Sequence, residues 1–191
     1  MNSIELSPTL WRTCRVLAGP TRLRMFGRLC RDPHQSVGEV AAALKIGRSR
    51  ASQELRRLQA RGLLKATRHG RWVRYAPAAD PRVPSAKPIV QALRTALARS
   101  RPGADAECLR IASALTHPRR LRIAQALLVQ PLDFSRLVTE TRMPRISLSR
   151  HLRHLRARGL VVRKQGVYHF IADPHPLARC LLGLLAETPQ R

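Results

Sequence analysis

The chain has 191 residues, and 44% of them are hydrophobic, which is enough to bury a core in one domain or in two. It carries 36 lysines and arginines against 11 aspartates and glutamates, so its formal net charge at pH 7 is +25. This excess of cations is far larger than solubility requires, and it indicates a polyanionic partner. The sequence has few carboxylates and lacks both a glycine-rich phosphate loop and a nucleophile elbow, so we expect no enzyme activity.

Helix signals divide the first sixty residues into four predicted helices. The first begins at Ser7-Pro8, where a capping residue precedes a proline, and the second begins at Gly19-Pro20. Ser36 and Glu39 have the spacing of a capping box, which predicts the start of a third helix. A fourth helix buries three apolar residues on one face and ends at Gly62, a residue type typical of the position after a helix. These elements predict a helix-turn-helix.

A predicted β-hairpin follows the fourth helix. Two β-prone runs, residues 63–67 and 72–76, flank His69-Gly70, which is typical of a hairpin turn. A loop with four prolines then leads to a fifth helix over residues 89–98.

The second half of the chain repeats this plan. The segment ASQELRRLQARGL, residues 51–63, is matched by LSRHLRHLRARGL, residues 148–160, and the two copies also align upstream. The second copy predicts helices over residues 106–115 and 118–128, one capped by Asp133 and ending near Thr141, one following Pro144 and ending at Arg158, a hairpin about Gly166, and a last helix over residues 177–185. We therefore predict a mainly α fold with small β-hairpin wings, in two domains spanning residues 1–100 and 104–191.

Arginine dominates the basic side chains and forms a polar stripe on both copies of the fourth helix. The stripe comprises Arg50, Gln53 and Arg57 in the first copy and Ser147, Arg150 and His154 in the second. A solvated charged face, or a coding bias toward arginine, would give a similar pattern. However, the stripe lies on the second helix of a helix-turn-helix, where side chains reach base edges in the major groove. The wing turns add Arg68 and Arg71 in the first copy and Arg163 and Lys164 in the second, which suit phosphates or the minor groove.

Together these motifs resemble ArsR-type winged-helix transcriptional regulators. The resemblance is carried by PTRLR (residues 20–24) and PRRLR (residues 118–122) at the second helix, SRHLRHLRARGLV (residues 149–161) at the recognition helix, and RHGRWVRY (residues 68–75) at the wing. It implies that Arg48, Ser49, Arg50, Ser52, Gln53, Arg145, Ser147, Ser149 and Arg150 face double-stranded DNA. Members of this family dimerise through their first and last helices, and here the corresponding helices of the two copies are joined by a short linker around residues 100–103. The resemblance thus implies a single-chain pseudo-dimer, although two chains could also associate.

The positions of the four cysteines bear on whether the protein senses a metal and on where in the cell it is located. Cys14, Cys30, Cys108 and Cys180 form no C-x-x-C pair, and the family's Cys-x-Cys metal pair is missing from the third helix. Asp173-Pro174-His175 matches only half of another family metal site, so we expect no metal and no cofactor. We expect reduced core thiols in a cytoplasmic protein, because the chain has no apolar signal region and its longest apolar run is too short for a bilayer.

The leading hypothesis is a sequence-specific DNA-binding transcriptional regulator that acts as a repressor. Its predicted DNA-contacting residues are Arg48, Ser49, Arg50, Ser52, Gln53, Arg57, Arg68, Arg71, Arg145, Ser147, Ser149, Arg150, His154 and Lys164. One alternative is a nonspecific architectural DNA- or RNA-binding protein, since the charge alone would bind any polyanion. Another is a winged-helix module that binds protein instead.

Overall fold

The computed structural model describes residues 9–97 and 103–187. The first half contains α1 (Leu10–Leu17), α2 (Pro20–Arg31), β1 (Gln35–Ser36), α3 (Val37–Ala43), α4 (Arg48–Gln59), β2 (Leu64–His69), β3 (Trp72–Pro77) and α5 (Ala86–Leu97). The second half contains α6 (Ala104–Ala114), α7 (Pro118–Val129), β4 (Leu132–Asp133), α8 (Phe134–Thr141), α9 (Arg145–Ala157), β5 (Val161–Lys164), β6 (Val167–Phe170) and α10 (Pro176–Ala186). The order of helices and strands is the same in both halves, so the fold is two winged helix-turn-helix domains in tandem. The predicted cap at Ser7-Pro8 lies outside the described residues.

Local signals in the sequence account for the ends of the helices. Ser36 Oγ accepts a hydrogen bond from the Glu39 backbone N–H (3.3 Å), and the Glu39 carboxylate accepts one from the Ser36 N–H (2.6 Å). This is the predicted capping box, and Asp133 caps α8 by accepting from the Arg136 N–H at 2.8 Å. Gly62, which follows α4, has a φ of +69°, a conformation that glycine adopts without strain.

Each half forms a three-stranded antiparallel sheet, in the orders β1-β3-β2 and β4-β6-β5. The predicted hairpins are confirmed, with β2 pairing β3 and β5 pairing β6. The third strand of each sheet was not predicted, because β1 and β4 have two residues each, which is too short to establish a period of apolar and polar side chains. The second hairpin turns through Gln165 and Gly166, both at positive φ, as a two-residue turn between twisted strands requires.

The fifth helix begins earlier than the sequence predicted. We expected Pro88 to lie in the loop, but α5 starts at Ala86 and includes Pro88 in its first turn. The first turn of a helix tolerates proline, because the N–H groups there have no partner within the helix.

One continuous apolar core extends through both halves. Helix α1 packs against α6, and α5 packs against α10, so each of these contacts joins equivalent helices of the two copies. Leu17, Leu93, Ile111 and Leu181 are fully buried members of this core. The predicted boundary around residues 101–103 lies almost wholly outside the described residues and stays a prediction.

Among residues 9–97 and 103–187, no helix combines the length and the apolar character needed to cross a membrane. Cys14 and Cys108 are buried, whereas Cys30 and Cys180 are half-buried, and none of the four is in a disulfide. Burial raises the pKa of Cys14 and that of Cys108 to about 12, so both thiols are neutral at physiological pH.

Candidate nucleic-acid interface

The recognition helices α4 and α9 are held by their apolar faces. Leu55 and Leu58 of α4 are fully buried, as are their counterparts Leu152 and Leu155 of α9 to within 2%. In the turn that precedes each helix, one cation adopts a left-handed conformation, Lys45 at φ +53° and Arg142 at φ +51°. With one face fixed in the core, the opposite face of each recognition helix is open to solvent.

Most of the predicted DNA-contacting side chains lie on these open faces and on the wings. The exposed ones are Arg48, Ser49, Arg50, Gln53, Arg57, Arg68, Arg71, Arg145, Ser149, Arg150 and Lys164. Ser52 and Ser147 are half-buried. The structure thus brings a group of predicted residues together on each recognition helix, and their contact with DNA remains a prediction.

His154 differs from the other predicted contacts. Its side chain is half-buried, and its Nε2 lies 3.1 Å from the backbone oxygen of Ser113 in α6. The imidazole is therefore directed at the protein rather than at solvent. The adjacent Arg153, which the sequence did not single out, is exposed.

Both recognition helices are tied to the start of the preceding long helix by equivalent hydrogen bonds. In the first domain, Arg50 Nη2 donates to Thr21 Oγ1 of α2 at 3.3 Å. In the second, Arg119 Nη1 of α7 donates to Ser147 Oγ at 2.8 Å. The arginine and the hydroxyl have exchanged helices, so each site keeps a guanidinium at the surface. Arg119 belongs to the PRRLR motif of the second helix, but the sequence does not separate its role from that of the neighbouring arginines.

The two domains differ at the inner side of the recognition helix. In the first domain, Glu54 accepts hydrogen bonds from Arg22 of α2 (2.6 Å) and from Arg57 (2.9 Å). Burial by itself raises the pKa of Glu54, but the bonds and charges of the two arginines outweigh it, so this pKa lies below its ordinary value. The glutamate is therefore ionised and links α4 to α2.

His151 occupies the position of Glu54 in the second domain. Its ring is buried beside that of His117, with 4.7 Å between the ring centroids. Burial, followed by the charges of His117, Arg120, Arg119 and Arg150, lowers the pKa of His151 to about 4. Where the first domain has an ion pair, the second has a neutral imidazole among cations.

The recognition helices carry few negative charges. Helix α9 contains four arginines and no carboxylate, and α4 contains four arginines and only Glu54, which is paired with arginines. The two helices therefore present a positive surface to any polyanion that approaches.

The wings extend this positive surface unequally. The strands of the first wing have six residues each and those of the second have four. Arg71 at the first tip stacks over Trp72 at 5.1 Å, and Trp72 is 54% exposed. In the second wing, the Arg163 guanidinium donates to the Gly166 oxygen (3.4 Å) and lies over Tyr168, while Lys164 is exposed. The longer first wing carries a larger exposed surface.

Ile146, in the first turn of α9, is 79% exposed. It lines a shallow depression with Phe134, Arg145, Ser149, Arg150 and Arg153. No sequence pattern marks this isoleucine as exposed, because an apolar residue in a helical pattern is more often part of the core. No cluster of three or more metal-binding side chains occurs in the described parts of the chain.

Comparison with known families agrees with this geometry. A model described as "MarR family" matches residues 19–71, from the start of α2 to the tip of the first wing. A model described as "Bacterial regulatory protein, arsR family" matches residues 117–162, from the start of α7 into β5. No curated protein and no solved structure matches the chain. The arsR resemblance is thus confirmed for the second copy, whereas the first copy matches the MarR model. The chain thus holds two tandem winged helix-turn-helix domains, similar in turn to those of the MarR and arsR families, and this similarity supports a DNA-binding transcriptional regulator.

Proposed function

We propose that the chain is a sequence-specific repressor that binds one DNA site with both of its domains, as a single-chain pseudo-dimer. The two domains span residues 1–100 and 104–191. The observation that carries the proposal is the pair of recognition helices, each held by a buried apolar face and each presenting exposed arginines. Occupation of promoter DNA would exclude polymerase, which is the basis for proposing repression.

The pairing of equivalent helices supports the pseudo-dimer. In a symmetric dimer, each surface element meets its own copy or exchanges contacts with its partner in a reciprocal way. Here α1 meets α6 and α5 meets α10, which are the like-with-like contacts of such an arrangement within one chain. A two-fold relation of this kind would present two recognition helices to major-groove faces about one helical turn, roughly 34 Å, apart. Association of two chains is a separate possibility that sedimentation tests.

Differences between the recognition helices support an asymmetric DNA site. By the internal alignment, Gln53 corresponds to Arg150 and Ser49 to Ile146. Glutamine pairs best with adenine and arginine with guanine in the major groove, so the two helices favour different bases. We propose that the chain reads two unlike half-sites, whereas a dimer of identical subunits favours a palindrome.

The proposed DNA contacts are the exposed predicted residues together with Ser52 and Ser147. The exposed Arg153 is a further proposed contact. His154 is not a proposed contact, because its imidazole faces Ser113 and so helps to hold the recognition helix in place. Arg119 is added as a residue that orients Ser147. DNA as the ligand also implies a cytoplasmic location.

Selection of bound sequences from random DNA by the full chain tests this proposal. We expect a two-part site with unlike halves, and a loss of affinity when one half is replaced by a copy of the other. Arg150→Ala should reduce discrimination at one base pair by about 1–3 kcal/mol. The matched variant Lys164→Ala should weaken binding to all sequences alike and flatten the dependence on salt. A palindromic site bound equally well in either orientation would contradict the unlike half-sites.

The net charge of +25 favours a second candidate, a nonspecific DNA- or RNA-binding protein. Competition between the selected site and bulk DNA at moderate salt separates the two functions. A preference of at least a thousandfold is typical of specific binding, and equal competition would favour the nonspecific function.

A further inference from the structure

Ile146 is an exposed apolar side chain at a position from which a recognition helix can contact DNA bases. A single exposed isoleucine is ordinary on a protein surface. This one, however, lies in the first turn of the recognition helix, the part of such a helix that approaches base edges. The other large apolar residues of α9, Leu148, Leu152 and Leu155, are all buried, so Ile146 is separate from the core stripe.

The neighbours of Ile146 place it on the open face of the recognition helix. Ser149, Arg150 and Arg153 follow at helical spacings of three, four and seven residues, and all three are exposed on the same face. The Arg145 guanidinium lies over the Phe134 ring, 5.0 Å from its centroid, and does not cover the side chain of Ile146. An apolar side chain is thus surrounded by groups suited to phosphates and to polar base edges.

The corresponding stripe in the first domain is entirely polar, since it comprises Ser49, Ser52, Gln53 and Arg56. Ser49 stands at the position of Ile146, and it is also exposed. The difference between the domains is therefore a hydroxyl in one and a branched hydrocarbon in the other, at matching points of the two reading helices.

The major groove offers one apolar feature to such a side chain, the 5-methyl group of thymine. We propose that Ile146 contacts a thymine methyl in the half-site bound by the second domain and thereby selects thymine there. The half-site bound by the first domain lacks this selection, because Ser49 takes the equivalent place. This inference rests on the proposed sequence-specific function, and it names one determinant of the difference between the half-sites.

Uracil substitution tests the contact directly, since deoxyuridine differs from thymidine only by the missing methyl group. Each thymine of the selected site is replaced in turn, and the affinity of the full chain is measured by fluorescence anisotropy. We expect one replacement in the second half-site to weaken binding about fourfold, the effect of losing one buried methyl-sized group. Ile146→Ser should bind the thymine and uracil sites equally. Ser49→Ile should gain sensitivity to uracil when a thymine is placed at the matching position of the first half-site.

Both substitutions are on exposed positions, so matching thermal unfolding curves are expected and check that the variants fold. If Ile146→Ser keeps the uracil sensitivity of the wild type, the thymine contact is wrong while sequence-specific binding stands. If random DNA yields no preferred site, the regulator proposal and this inference both fail. If Ile146→Ser instead dissociates a dimer of chains that the wild type forms, the side chain serves protein association and the inference is overturned.

Discussion

Mild acid should destabilise the fold through His151, because this imidazole is buried as a neutral group among cations. Its pKa falls from 6.5 in the unfolded chain to about 4 in the folded protein. The unfolded state therefore binds the proton first as the pH falls. The corresponding stability is fully present above pH 6.5 and is lost as the pH falls toward 4. Between pH 7.5 and pH 5, the free energy of unfolding should decrease by about 2 kcal/mol from this residue alone.

Urea unfolding at several pH values between 7.5 and 5, followed by tryptophan fluorescence, measures this effect. Burial also lowers the pKa of His117 and of His154, so the wild type should lose more stability than His151 accounts for. The comparison with His151→Gln isolates one residue, since that variant should lose about 2 kcal/mol less than the wild type over the same range. His69→Gln, at an exposed position in the first wing, is the matched control and should follow the wild type. Equal losses in wild type and His151→Gln would refute the reasoning.

Three further changes have defined outcomes. Glu54→Gln removes the partner of Arg22 and should lower the free energy of unfolding by about 1–3 kcal/mol, because the pair is largely shielded from solvent; a loss within error in urea unfolding would contradict this. Gly62→Ala should cost about 1–2 kcal/mol in thermal unfolding, since alanine is strained at φ +69° and its Cβ would lie 3.1 Å from Val83. Gly47→Ala is its control and should cost less than Gly62→Ala, because Gly47 has φ −65° and open space around it, so that only the weaker preference for alanine at the N-cap of α4 counts against it. Leu181→Ala should lower the free energy of unfolding by about 2–5 kcal/mol. Because Leu181 belongs to the core that both domains share, both should lose stability in one transition. Separate transitions by circular dichroism and fluorescence would argue against a shared core.

Local signals in the sequence were sufficient for most of the helices and both hairpins. Signals that act within one turn of the chain can be recognised without tertiary structure. They include the capping box of Ser36 and Glu39, the Asp133 cap and the glycines after the recognition helices. The internal repeat then supplied the second copy of each prediction. Strands β1 and β4 escaped prediction because two residues carry no periodicity, and their pairing depends on distant partners in β3 and β6.

The candidate site was predictable in position and less so in detail. A helical stripe drawn at 100° per residue placed His154 with Arg150, but the half-buried imidazole is turned toward the backbone oxygen of Ser113 in α6. Neither Ile146 nor Arg119 was among the predicted site residues, for opposite reasons. The isoleucine resembles a core residue in sequence, and the arginine is one among many in a chain of this charge. Only the exposure of the first and the hydrogen bond of the second distinguish them.

Joining the two helix pairs within one polypeptide changes how the protein can evolve. In a dimer encoded once, a substitution alters both subunits, so a change that suits one half of the DNA site is imposed on the other. Here the α1–α6 and α5–α10 contacts hold two separately encoded copies together. One copy carries the carboxylate of Glu54 and the other carries His151 at the matching position, so each copy can adapt to its own ligand surface without a matching change in the other.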